Sequence, residues 1–69
     1  MILKYGEKEM DFGEVQNLTQ IKEGFHIIDY KNLYKVNGDG ELVLLEENSW
    51  STKLKEGDKL EAISEFSLG

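Results

Sequence analysis

A chain of 69 residues with no cysteine and a single histidine, His26, has to hold its fold by packing alone. Below about 80 residues a hydrophobic core is commonly reinforced by disulfides or a structural metal. Neither is open to a chain that lacks thiols and has one imidazole. Its Leu, Ile, Val, Phe and Tyr residues are therefore expected to gather in one core. No repeat, low-complexity stretch or linker divides the chain, which reads as a single domain, 1–69.

Charge narrows the partners. Fourteen acidic residues against eight lysines give a net charge of −6, which repels phosphate backbones and anionic lipid surfaces. Neither nucleic acid nor membrane is expected as a partner. No apolar run approaches the length of a membrane span, and Met1-Ile2-Leu3-Lys4 leads into charge instead of a signal-peptide core, so the expected compartment is the cytoplasm. The acidic surface suits a lysine- or arginine-rich groove on a protein partner, and it is equally an ordinary means of staying in solution.

Hydrophobic periodicity lays out the elements. Ile2-Leu3-Lys4-Tyr5 and Glu9-Met10-Asp11-Phe12 read as two strands of a hairpin around Gly6-Glu7-Lys8, with Gly6 free to take a positive φ. Asp11 followed three residues later by Glu14 resembles a capping box. Val15, Leu18 and Ile21, with the Lys22 stem, then recur at helical spacing until Gly24. That predicts one helix of about ten residues, too short to stand without a sheet beneath it. From Phe25 the period becomes two, Phe25 and Ile27 opposing His26, Ile28 and Tyr30, and a second run follows at Leu33-Tyr34-Lys35-Val36. One strand is predicted across this stretch, with an added strand over 25–31 as the alternative. Asn37-Gly38-Asp39-Gly40 is a strong turn signal leading into a strand at Glu41-Leu42-Val43-Leu44-Leu45. Residues 46–56 read as a loop or a single helical turn that dips Trp50 and Leu54 into the core. Gly57-Asp58 then turns the chain into the last strand, Lys59-Leu60-Glu61-Ala62-Ile63, expected to lie parallel to the first. The order implies an α+β sheet with a helix on one face.

No catalytic constellation emerges, so no enzyme activity and no cofactor is expected. Asn37, Asp39, Gly40, Leu42 and Glu46 match part of a calcium-loop pattern, but Lys35 occupies its first ligand position and the flanks read as strands; a hairpin turn is the expectation. His26 has neither a second histidine nor a nucleophile in register with it. Trp50, the only tryptophan, is expected as a core anchor.

The second half carries a resemblance. Val36-Asn37-Gly38, Glu41-Leu42-Val43, Trp50, Leu54, and Gly57-Asp58-Lys59-Leu60-Glu61 look like the thiamine-biosynthesis sulfur carriers and the molybdopterin-synthase small subunits, the ThiS/MoaD family. Gly6-Glu7 and the single helix fall where that family has its first turn and helix. The resemblance implies a ubiquitin-like β-grasp, a mixed sheet of four to five strands wrapped around one short helix. It also implies a carrier role, in which Gly69 is adenylated by an E1-like adenylating enzyme, becomes a thiocarboxylate, and gives sulfur to an acceptor such as thiazole synthase. Ile63, Phe66 and Leu68 would then meet the partner. Where the family ends in Gly-Gly, this chain has Leu68-Gly69; it has an extra Asp39-Gly40 in one hairpin, and Leu44-Leu45 where many members have Pro-Arg. A β-grasp interaction module without covalent transfer is the alternative.

Overall fold

The computed structural model describes residues 1–64. The first hairpin joins β1 (Ile2–Tyr5) to β2 (Lys8–Asp11), with Leu3 opposite Met10 and Tyr5 opposite Lys8. Gly6 has φ +60°, the left-handed value a two-residue hairpin connection needs. The second strand lies one residue earlier than the sequence pattern predicts. Phe12 leaves it, its ring meeting that of Phe25 edge-on at 5.2 Å between centroids.

Helix α1 (Leu18–Gly24) starts at Asn17, a correction to the expected Asp11/Glu14 capping box. The Asn17 side chain accepts the Gln20 N–H at 3.0 Å, and the Gln20 side chain accepts the Asn17 N–H at 3.4 Å. Asp11 is committed elsewhere: its carboxylate accepts the Gly13 N–H at 2.9 Å and lies 3.3 Å from the Met1 amino group. Two acid- or amide-headed signals compete here, and the one already tied to a strand end cannot also cap a helix. The helix is therefore seven residues long. The Glu47 carboxylate adds a further cap, accepting the Leu18 N–H at 2.9 Å.

The helix ends in a second unexpected way. The Ile27 N–H donates to the Lys22 carbonyl at 2.8 Å and the His26 N–H to the Glu23 carbonyl at 3.2 Å, with His26 at φ +59°. These are the paired bonds of a Schellman ending, with histidine where glycine is usual. Gly24 has another task. A Cβ there would stand 2.2 Å from Phe12 Cε1, so glycine is what lets α1 rest on that ring.

The reversal at His26 carries residues 25–30 across the end of the core as a loop, so no extra strand forms over 25–31. Phe25 and Ile27 turn inward while His26 and Ile28 turn out, an alternation that imitates a strand without pairing and lapses at Asp29, which is exposed like Tyr30. β3 (Lys31–Val36) follows, then a turn in which Asn37 and Gly40 are bonded and Asp39 accepts the Glu41 N–H, then β4 (Leu42–Leu44). α2 (Trp50–Lys53) is the single helical turn anticipated around Trp50, so the described residues hold two helices instead of one. β5 (Lys59–Ser64) runs antiparallel to β3 and parallel to β1, giving the order β2-β1-β5-β3-β4. The result is a small α+β domain with a five-stranded mixed sheet.

One face of the sheet is closed. Leu3, Leu33 and Leu60 pack with Ile21 and Phe25 at 2% exposure or less, and Leu18, Ile27, Leu45, Trp50 and Leu54 complete the core. Trp50 is an anchor, as expected. The loop before β5 is stitched to β1 by Gly57 N–H to Ile2 O at 2.7 Å, Lys4 N–H to Asp58 O at 3.0 Å, and Ile2 N–H to Glu56 Oε2 at 2.7 Å. Those bonds fix where the last strand begins.

Candidate functional site

Interest centres on the last described residues of β5. β1 pairs with it no further than Tyr5 opposite Leu60, because the chain then turns at Gly6, whereas β3 follows it in register to Lys31 opposite Ser64. Strand alternation puts Leu60, Ala62 and Ser64 on the closed face and Glu61 and Ile63 on the open one. Ile63 is 41% exposed there. Of the other residues singled out by the sequence, Phe66, Leu68 and Gly69 lie outside the described residues, so the structure places Ile63 alone.

The open face is divided in chemistry. On the β2–β1 side, register places Glu9 beside Lys4 and Lys4 beside Lys59, a mixed-charge surface. On the other side Tyr34, Val36, Leu42 and Leu44 share the face with Ile63, and Leu42 is 40% exposed. The sequence pattern predicts the strands but does not gather these residues, because register between β3, β4 and β5 decides which of them are neighbours. Beyond the sheet, Ile28 and Tyr30 are the most exposed large apolar side chains described, at 54% and 52%. Tyr30 immediately precedes Lys31, the residue opposite Ser64, and Ile28 lies three residues before it. Their place on the outer side of the residue 25–30 alternation was the available signal.

Two charged groups have structural tasks. Lys35 is on the closed face, where its Nζ donates to the Lys53 carbonyl at 2.7 Å and lies 3.9 Å from Asp58. It caps the C-terminal end of α2 with a cation, the sign favoured there. Asp11 is held below the usual carboxylate range, chiefly by the Gly13 N–H and then by the Met1 amino group. Its folded pKa is depressed, so its small contribution is present above the unfolded value and is lost as pH falls through the folded one. His26 is exposed at a left-handed backbone position, part of the helix ending. Among the described residues no pocket is found, and no group of three or more His, Asp or Glu side chains could hold a metal. No helix of the described residues is long and apolar enough to cross a membrane.

Neither a family model, nor a curated protein, nor a solved structure matches this chain.

Proposed function

We propose that the protein is a ubiquitin-like β-grasp carrier that bears sulfur at Gly69 as a thiocarboxylate and delivers it to a biosynthetic enzyme, in thiamine or related cofactor synthesis. The observation that carries the reading is the position of β5. The last strand lies at the centre of the sheet, parallel to the first, in the order β2-β1-β5-β3-β4. That order supports the β-grasp expectation drawn from the Gly57-Asp58-Lys59-Leu60-Glu61 motif, and the strand that precedes Gly69 in the chain carries the exposed Ile63.

The chemistry is that of a carboxylate, which is a poor electrophile until one oxygen becomes part of a good leaving group. A Gly69 carboxylate oxygen would attack the α-phosphorus of ATP and displace pyrophosphate, giving an acyl-adenylate. A sulfur nucleophile at the oxidation level of sulfide would then add to the carbonyl carbon and expel AMP, leaving the thiocarboxylate. The E1-like adenylating enzyme supplies the catalytic groups; this domain supplies the rigid body and Ile63, Phe66 and Leu68 as contacts.

The test is intact mass after incubation with ATP, a sulfide source and the E1-like adenylating enzyme of the same organism. Exchange of one oxygen for sulfur is expected; unchanged mass would sink the carrier reading. Leu68→Gly is expected to speed adenylation if side-chain bulk limits entry to the activating site. The second reading, a β-grasp module that binds a protein without covalent transfer, is favoured by the apolar half of the open face, with Leu42 and Ile63 at 40% and 41% exposure.

A further inference from the structure

We infer that the loop between α1 and β3 is a second docking element, in which Ile28 and Tyr30 insert into an apolar recess on the protein that activates the Gly69 carboxylate. The inference rests on the carrier reading and goes beyond it, since the residues proposed there all belong to β5 and to the chain that follows.

Three observations lead to it. First, Ile28 and Tyr30 are 54% and 52% exposed, more than any other large apolar side chain described. A lone exposed apolar residue needs no explanation, but here two fall in one three-residue stretch, and Tyr30 is two residues from Asn32, which lies opposite the exposed Ile63. Second, the loop is pinned. Phe25 and Ile27 are buried, the Ile27 N–H is bonded to Lys22 O at 2.8 Å, and the Lys31 N–H to Ile28 O at 3.0 Å. The Lys22 Nζ donates to the Asp29 carbonyl at 2.9 Å. A pair of apolar side chains held on so constrained a backbone loses little freedom on binding, which is what a docking anchor requires.

Third, the pair stands where the activating protein must come. Tyr30 precedes Lys31, which lies opposite Ser64, and Asn32 lies opposite Ile63. Gly69 is five residues beyond Ser64, and five residues span at most about 17 Å. Any protein that holds the Gly69 carboxylate in its active site is thus brought against this end of the sheet. The charges beside the pair are of both signs, Lys22 and Lys31 with Asp29, so the recess is expected to have a mixed polar rim around an apolar centre.

The test measures affinity and activation kinetics of the full chain with the organism's E1-like adenylating enzyme for wild type, Ile28→Ser/Tyr30→Ser and Glu41→Ser. Glu41 is the control: it is exposed and lies in the turn between β3 and β4, at the opposite end of the sheet. The double substitution is expected to weaken Kd and raise KM about tenfold or more while kcat changes less than about twofold, the pattern of a lost docking contact. Glu41→Ser should alter neither beyond about twofold. Should the double variant lose its fold by circular dichroism, Ile28→Ser alone carries the test. Wild-type Kd and KM in the loop variant, with normal activation of the wild-type chain, overturn the docking loop and leave the carrier reading intact. No binding and no activation of the wild-type chain overturn both.

Discussion

The two faces of β5 are one residue apart in sequence and opposite in consequence. Leu60 is fully buried, between β1 and β3 and under α1, whereas Ile63 is 41% exposed on the side that nothing described covers. Both are branched aliphatic residues in one strand, so hydrophobicity does not separate them. The closed face exists because α1 and the residue 25–30 loop bring Ile21, Phe25 and Ile27 over the sheet. The open face keeps its apolar residues accessible, and that accessibility makes it available to a partner.

The sharpest way to break this contrast is to truncate both residues. Leu60→Ala should destabilise the chain by about 3 kcal/mol in urea unfolding, through lost transfer energy and the cavity left behind. Ile63→Ala should change stability by no more than about 0.5 kcal/mol. Equal losses at the two positions would mean that the open face is covered in solution. Next in size is the seat of α1. Gly24→Ala forces a Cβ to within 2.2 Å of the Phe12 ring unless that ring moves, and we expect a net loss of about 1–2 kcal/mol despite the better helix propensity of alanine. Adding Phe12→Leu should recover part of that loss in a double-mutant cycle; strictly additive effects would show that the two side chains do not meet. The smallest effect concerns the loop's backbone. His26 holds φ +59°, and His26→Gly should raise stability by about 0.5–1 kcal/mol by removing that strain. A lower unfolding midpoint for His26→Gly would argue that the imidazole itself stabilises the turn.

Much of the fold is legible in the residues because the local signals are strong. Gly6 at a hairpin, Asn37-Gly38-Asp39-Gly40 before β4, Trp50 and Leu54 four apart, and Gly57-Asp58 before β5 each have one cheap local conformation, and the chain adopts it. Three features were not legible. Asp11 and Asn17 both head plausible helix starts, and only the tie of Asp11 to Gly13 and Met1 decides between them. The alternation over residues 25–30 has the period of a strand because a loop lying on a core also turns side chains alternately in and out. Gly24 is the last residue of α1, as the pattern predicts, but the left-handed residue of the helix ending is His26, and glycine at 24 instead admits the Phe12 ring. The candidate site is legible only in part: the resemblance points to Ile63, whereas the two-residue period assigns Ile28 and Tyr30 to one side of a strand.

By itself the sequence determined that the fold would rest on packing, that sheet and helix would alternate in this order, and that the last strand would follow Gly57-Asp58. Those are properties of composition and of nearest neighbours, which act before any distant residues meet. Tertiary structure alone decided that β5, expected beside β1, also pairs with β3, that Tyr30 comes next to the Lys31–Ser64 pair, and which apolar residues of the described chain remain outside. These depend on strand register and on the seating of α1, and both are settled by contacts between segments far apart in the chain.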